Sequence, residues 1–244
     1  MIAAFLSDIH GNLPALKAAA IDAEARGAER LFCAGDLTGY GPFPSEVCRF
    51  FESRRIPAIL GNYDEKVLAA IKNPADFEKG MKPAKWRILD WTRTNLDGTA
   101  RRFLATLPRL YRETLPGGVG LLMVHGSVRS AEDALYPSLT GRGLKTKLAG
   151  ETPDVLVCGH THIPFAKRIG GVFVVNCGSA GHPVDGDPRP SYALLHFTEN
   201  KKPSGRIVRF DYPKNETLAA LAKTPLPKSL AKDYEEGNKK RWMP

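Results

Sequence analysis

Five apolar runs of this chain each end in side chains suited to holding a metal ion. "LSDIHGN" ends in Asp8 and His10, "CAGDLTGYG" in Asp36, and "LGNYD" in Asn62, Tyr63 and Asp64. "LMVHGS" ends in His125, and "VCGHTH" in His160 and His162. Four of the six histidines of the chain fall in this set. Seven of these residues (Asp8, His10, Asp36, Asn62, His125, His160 and His162) offer oxygen or imidazole nitrogen, and none offers thiolate. Such donors suit Mn, Fe or Zn better than Ca, and the lack of cysteine argues against a closed structural zinc site. Seven donors exceed the needs of one tetrahedral ion. Two divalent ions roughly 3.5–4 Å apart, sharing a carboxylate, explain the count. Taken singly the pieces are weak, since Asp-x-His is commonly a cap and Gly-Asp a loop. Their joint occurrence, in order and always after an apolar run, carries the reading.

For these donors to meet, the elements before them must point the same way. "IAAFL" at 2–6 reads as a buried strand, and "NLPALKAAAIDAEARG" as a helix with Asn12 as cap, Pro14 in the first turn and Gly27 at its end. "RLFCAGD" follows as a strand, "PSEVCRFFESRR" as a helix and "PAILGN" as a third strand. This alternation predicts an α/β fold with a parallel sheet, in which ligands bind outside the carboxyl ends of strands. His160 and His162 then reach one region from an extended segment, because residues two apart share a face. Gly35, Gly61, Gly126 and Gly159 each adjoin a candidate ligand, as close backbone approach requires.

Residues 64–107 break the rhythm with consecutive helical patterns, which predict a helical flap beside a sheet edge, with Trp86 and Trp91 in its core. After Pro116 the chain turns β-rich through "VGLLMVHG", "DVLVCG", "IPFAKRIG", "GVFVVNCG", "SYALLHF" and "GRIVRFDY". Helices are expected at 138–149 and from "NETLAALAK", and a hairpin turn at "IGGV". The expected organisation is one domain over 1–224, with the flap inserted at 64–107, and a polar tail or docking arm over 225–244.

Of 244 residues 43% are hydrophobic and 25% charged, the balance of a globular protein large enough to bury a core. The four cysteines form no CxxC pair, and Cys33 and Cys158 lie in apolar runs, which argues against a disulfide framework. The apolar start lacks a basic n-region and meets Asp8 at once, and no run approaches the ~18 apolar residues of a membrane helix. A cytoplasmic protein with no membrane partner is the expectation. The net charge of +9 fits an anionic partner, but the excess is dispersed, as in "KK" at 201–202 and "KKR" at 239–241. Nucleic acid is therefore not favoured. The sequence carries no signal for oligomeric state.

The motifs "DIHGN", "GDLTGYGP", "GNYD", "VHGS" and "GHTHIP" together resemble the calcineurin-like metallophosphoesterases. "NCGSAGHPVDGDPRPSYALL" is similar to the closing signature of the small bacterial single-domain branch, which is described as phosphodiesterase-like or diadenosine-tetraphosphatase-like. The resemblance covers roughly residues 1–197. It implies a four-layer α-β-β-α sandwich with two mixed sheets and a dinuclear site at the strand ends. It would give Asp8, His10 and His162 to one metal, Asn62, His125 and His160 to the other, and Asp36 to both. The chain departs at Tyr63, where the family motif usually has a histidine thought to protonate the leaving group. A phenol with pKa near ~10 is a poorer proton donor, and branches lacking that histidine tend to favour phosphodiesters or activated leaving groups. Cys177 stands where relatives commonly carry proline, and reads as a tolerated turn substitution.

The expected function is hydrolysis of phosphate esters dependent on two divalent ions (Mn, Fe or Zn), with a metal-bridging hydroxide as nucleophile and a phosphodiester, nucleotide or other phosphorylated small molecule as substrate. Asp36, Asn62, Tyr63 and His125 would be catalytic, and Asn12, Tyr63 and Arg129 would contact substrate. Asp64 is expected to cap the following helix. The alternatives are a phosphomonoester phosphatase acting on proteins or small molecules, and a nucleic-acid-binding regulator retaining the fold. A protein Ser/Thr phosphatase would carry Gly-Asp-x-Val-Asp-Arg-Gly, and "GDLTGYG" lacks its Asp-Arg pair.

Overall fold

The computed structural model describes residues 1–199 and 202–237. Its first half runs β1 (Ile2–Leu6), α1 (Leu13–Ala25), β2 (Arg30–Cys33), α2 (Pro44–Arg54), α3 (Asn62–Lys72), α4 (Pro74–Gly80), α5 (Pro83–Asn95) and α6 (Gly98–Thr106). The second half runs β3 (Leu110–Leu115), β4 (Val119–Val124), α7 (Gly141–Leu148), β5 (Val155–Cys158), β6 (Phe165–Ile169), β7 (Val172–Asn176), β8 (Ser191–His196), β9 (Ser204–Arg209), α8 (Lys214–Leu221) and α9 (Ser229–Glu236). One sheet has the order β2-β1-β8-β9 and the other β3-β4-β5-β7-β6. Both are mixed: β1 pairs with β2, and β5 with β4 and β7, in parallel, while β8, β9, β3 and β6 join antiparallel.

The period-2 alternation of side chains builds the layers. Ala3 and Phe5 of β1 face the second sheet, where they meet Val155 and Val157 of β5 and Leu121 and Met123 of β4. Ala4 and Leu6 point the other way, onto Leu16, Ala19 and Ala23 of α1 and Val47 and Phe51 of α2. Leu156 and Cys158 of β5 pack outward on Leu144 and Leu148 of α7. The result is the four-layer α-β-β-α sandwich. All four cysteines are buried and unpaired.

Several elements differ from the sequence reading. "PAILGN" is not a full strand: Cys33 and Ala58 form a single parallel bridge before Gly61 opens α3. Pro57 has no N–H to give, and the turn into α3 leaves no length for a ladder. β3 had no expected counterpart because it is an edge strand whose Arg112 and Glu113 hide any apolar alternation. α4 is likewise additional, and "IGGV" does close a two-residue hairpin between Ile169 and Val172. The region 64–107 is helical as α3 to α6, and Trp86 and Trp91 pack on its core while half-buried.

The stretch expected as a tail or docking arm contains α9, whose Leu230 and Tyr234 are buried beside Leu221 of α8, Leu89 of α5 and Tyr63 of α3. Residues 238–244, with the basic run at 239–241, and Lys201 lie outside the described residues. Since Leu230 is fully packed, Leu230→Ala should lower the unfolding free energy by about 2–5 kcal/mol in urea titration. A change below about 0.5 kcal/mol would show that α9 is not part of the folded unit.

Candidate metal and phosphoester site

The parallel strands β1, β2, β4 and β5, and the bridge residue Ala58, all deliver the chain to one edge of the sandwich. There the seven candidate ligands meet. His10 Nε2 lies 3.1 Å from His162 Nε2, and Asp8 Oδ1 lies 3.1 Å from His162 Nε2 and 3.7 Å from His10 Nε2. On the other side His125 Nε2 is 3.5 Å from Asp36 Oδ2 and 3.0 Å from Asn62 Oδ1, which is also 3.1 Å from His160 Nδ1. Two groups, Asp8–His10–His162 and Asp8–Asp36–His125, each bring their donor atoms within 4.8 Å of one another. Asp36 Oδ2 is also 3.7 Å from His10 Nε2. Two carboxylates, Asp8 and Asp36, thus reach both groups, where the family resemblance implied that Asp36 alone would.

Backbone geometry is bent to achieve this. Asp8, His10, Asp36, His160 and His162 all hold φ between 50° and 66°, a region that costs a residue bearing Cβ on the order of 1 kcal/mol or more. Glycines make room for the carboxylates: a Cβ on Gly61 would sit 2.1 Å from Asp36 Oδ1, and one on Gly159 would sit 2.4 Å from Asp8 Oδ2.

His10, His125, His162, Asp8 and Asp36 are each fixed by a bond from the atom turned away from the cluster. Nδ1 of His10 donates to Thr38 O at 3.0 Å, Nδ1 of His125 to Ala34 O at 2.7 Å and Nδ1 of His162 to His182 O at 2.6 Å. A carbonyl only accepts, so each ring holds a proton on Nδ1 and aims Nε2 at the cluster. Asp8 Oδ2 accepts from His160 N at 3.0 Å, and Asp36 Oδ1 from Tyr63 N at 2.7 Å, which leaves the opposite oxygens for the cluster. Asp8 Oδ1 is fully buried without a hydrogen-bond donor. A buried anionic oxygen facing imidazole lone pairs is costly unless a cation or proton joins them. The donor set therefore fits divalent cations.

The electrostatics agree. Burial alone would raise Asp8, but His162 and His125 hold its carboxyl far below the ordinary range. Asp36 is lowered in the same way, burial being outweighed by His125. Burial pushes His10 down to about 3, so it stays neutral. Burial also acts to lower His125, yet Asp36 and Asp8 lift it to about 10. A cation taken up there must displace a proton. Asp64 is pushed up to about 7 by burial and by Asp36. It caps α3 by accepting from Gly61 N, and it pins the Asp36 loop by accepting from Leu37 N, Thr38 N and Thr38 Oγ1.

The cavity above the cluster, roughly 190 Å³, is lined by His10, Asp36, Asn62, His160 and His162 on its floor and by Tyr40, Tyr63, Lys66, Met81, Lys85 and Ile88 on its walls. Tyr63 therefore stands at the cluster. Asn12 and Arg129 do not line it. Asn12 is buried, with Nδ2 donating to Gly181 O, and with Oδ1 accepting from Ala15 N and Thr217 Oγ1. Arg129 donates from Nε to Thr146 O and borders a separate cavity beside α7.

Sequence reasoning missed several supporting residues. Tyr40 stacks on His182 at 4.7 Å and meets the His10 ring edge-on at 4.8 Å. His182, whose carbonyl holds His162, also has Nε2 3.4 Å from Asp233 Oδ2 on α9. The histidine between Gly181 and Pro183 in the closing signature was the available signal. Glu132 had none: its Oε1 accepts from Asn62 Nδ2 at 3.2 Å and pairs with Lys66 Nζ at 2.6 Å. That bond turns the amide oxygen of Asn62 toward His125 and His160. Glu132→Ala should weaken Mn²⁺ binding about 10–100-fold, read as the Mn²⁺ dependence of Tm of the metal-stripped protein. Glu132→Gln, whose carbonyl still accepts from Asn62, should stay within a few-fold. Equal affinities for Glu132→Ala and the unaltered protein would contradict this role.

Residues 1–200 match the calcineurin-like phosphoesterase superfamily domain. The chain is 29% identical to an uncharacterized protein of Methanocaldococcus jannaschii, over 93% of this chain and 94% of that one. It is 28% identical to the phosphodiesterase YfcE of Escherichia coli K12, over 78% and 85%. A metallophosphoesterase from Sphaerobacter thermophilus superposes with a TM-score of 0.79 at 26% identity, covering 97% of this chain and all of that one. A hypothetical protein from Pyrococcus horikoshii OT3 shares the fold, with a TM-score of 0.84 at 21% identity over 98% and 99%. No helix among the described residues is long and apolar enough to cross a membrane. With its domain match, its phosphodiesterase relative and its strand-end cluster of carboxylates and imidazoles, the chain belongs to the calcineurin-like metallophosphoesterases and is a hydrolase of that family.

Proposed function

We propose that this protein hydrolyses phosphodiesters or nucleotide-type phosphoesters with two divalent cations bound at the cluster. Asp8, His10 and His162 would hold one ion and Asn62, His125 and His160 the other, with Asp36 and Asp8 spanning them. The observation that supports this best is the double use of Asp8 in two donor groups within one buried site. The mixed oxygen and imidazole set suits Mn, Fe or Zn. Such ions supply Lewis-acid polarisation of a phosphoryl oxygen and lower the pKa of water to near ~7.

The chain's own residues do the rest. The Nδ1–carbonyl bonds keep the imidazoles of His10, His125 and His162 aimed inward without reorganisation. Tyr63 lines the cavity, and burial, then the Tyr40 and Asp36 charges, push its phenol well above the ordinary value. It holds its proton at neutral pH and serves as a hydrogen-bond donor to a phosphoryl oxygen. A leaving group gains little proton transfer from it, which favours substrates with good leaving groups over alkyl monoesters. Lys66 and Lys85 give the walls the positive charge that an anionic phosphoester needs. No feature of this cavity favours a nucleic-acid-binding role without catalysis.

Metal-stripped protein reloaded with Mn²⁺ should cleave bis-p-nitrophenyl phosphate, and faster than p-nitrophenyl phosphate. Asp36→Asn and His125→Ala should each reduce that rate by about a hundredfold or more, the equivalent of several kcal/mol of transition-state stabilisation. Rates left intact by both substitutions would overturn the assignment.

A further inference from the structure

None of the seven candidate ligands lies on α9, which begins beyond residue 200, where the match to the superfamily domain ends. Yet α9 packs against the loop after β7, and that loop holds one of the two donor groups. Ser179 Oγ donates to Asp8 O at 2.7 Å, Gly181 N donates to Asp8 O at 3.1 Å, and His182 O accepts from His162 Nδ1 at 2.6 Å. Ser179 Oγ also accepts from His182 N at 2.7 Å, which ties these anchors together. A Cβ on Gly181 would sit 1.8 Å from Ile9 O, so the loop lies directly against the turn between Asp8 and His10. Asp8, His10 and His162 form one donor group. The bonds that orient the other side come from elsewhere: Glu132 holds Asn62, and Ala34 holds His125.

α9 meets the far side of this loop. Asp233 Oδ2 lies 3.4 Å from His182 Nε2. Tyr234, fully buried, sets its ring edge-on to His182, with centroids 5.3 Å apart. Gly237, whose left-handed φ of 60° ends α9, accepts at its carbonyl from Gly186 N at 2.6 Å. A Cβ there would fall 2.5 Å from Asp187 O. The His182 ring is stacked on Tyr40, which lines the cavity. Leu230 and Tyr234 are enough to bury α9. A carboxylate adds to them a loss of hydration against the buried side of the loop, and what it meets there is the imidazole of His182. That ring is thus held at Nε2, on its face and at its edge. A side chain locked in this way leaves its own peptide little freedom, and the carbonyl of that peptide is what orients His162.

We propose that Asp233, acting through His182, positions His162, so that the C-terminal helix α9 sets the affinity of the cation held by Asp8, His10 and His162 and leaves the other cation largely untouched. The inference rests on the two-cation reading above. Asp233 touches neither the donor cluster nor the cavity, so it is a positioning residue. A direct outer partner of a metal ligand contributes about 10–100-fold in affinity, and Asp233, one side chain further out, about five-fold. Its counterpart is Glu132, whose bond to Asn62 serves the opposite ion.

The test is a Mn²⁺ titration of the metal-stripped full chain, followed by the electron paramagnetic resonance signal of free Mn²⁺, which counts bound ions and separates their dissociation constants. The unaltered protein should bind two. Asp233→Ala should weaken one of them about five-fold and leave the other within a factor of about two. Asp233→Asn keeps an oxygen that accepts from His182 and should recover most of the loss. His182→Ala should weaken the same ion, and Asp233→Ala added to it should change nothing further, because the carboxylate acts through that ring. In crystals at limiting Mn²⁺, the anomalous peak that Asp233→Ala diminishes should be the one beside His162. α9 ends on a backbone bond, from Gly237 N to Asp233 O at 3.0 Å, that every variant keeps. Tm of the metal-stripped variants should therefore stay close to that of the unaltered protein, which separates positioning from folding. Unchanged dissociation constants in Asp233→Ala, equal weakening of both ions, additive losses in the double variant, or loss of the peak beside His125 instead would each overturn the role. An unaltered protein that binds fewer than two ions would sink the two-cation reading itself.

Discussion

Asp8 Oδ1 is a buried, charged oxygen with no hydrogen-bond partner, held 3.1 Å from His162 Nε2 in a cluster of carboxylates and imidazoles. Such an arrangement is unfavourable on its own, because desolvation of the carboxylate is not offset by any donor. It becomes favourable when positive charge enters the cluster. Much of the local structure at this edge of the sandwich follows from keeping those acceptors converged. The Nδ1 protons of three histidines are committed to backbone carbonyls, and the second oxygens of Asp8 and Asp36 are committed to backbone N–H groups. Only the inward-facing atoms stay uncommitted.

The sheets make this convergence possible, and the loops bear its cost. Parallel strands release the chain at a common edge, and each loop must then reverse sharply so that a side chain turns back over the strand it left. Left-handed φ at five ligand residues is the result. Gly61 and Gly159 let two backbones approach the carboxylates of Asp36 and Asp8 more closely than any side chain allows. Asp64 joins two of these loops, capping α3 at Gly61 and holding Leu37 and Thr38. The strain is stable because several rigid neighbours impose it at once, the usual condition for strained backbone at a functional site.

The donors themselves were legible in the sequence because their signal is local: an apolar run, a glycine and a ligand within a few residues. The convergence of Asp8, His10, Asp36, Asn62, His125, His160 and His162 needed only the inference that the strands point one way. What supports the donors was not legible, since it depends on contacts between distant segments. Glu132 and Arg129 lie three residues apart in one loop. The chain turns Glu132 toward Asn62 and Arg129 toward Thr146, and nothing in their order tells which faces the cluster. Asn12 read equally as a cap or a substrate contact, and its amide is spent on α1, Gly181 and Thr217. α9 read as a polar arm because only Leu230 and Tyr234 of its short stretch are buried. The aromatic and apolar partners that receive them belong to the helices that extend the sandwich.

The central claim is that these converged acceptors exist to bind cations in a pair. Crystals soaked in Mn²⁺ and measured at a wavelength where manganese scatters anomalously test it most directly. The account predicts two anomalous peaks separated by roughly 3.5–4 Å, one between Asp8, His10 and His162, the other between Asn62, His125 and His160, with Asp36 reaching both. A single peak outside these residues, or none at saturating Mn²⁺, would contradict it.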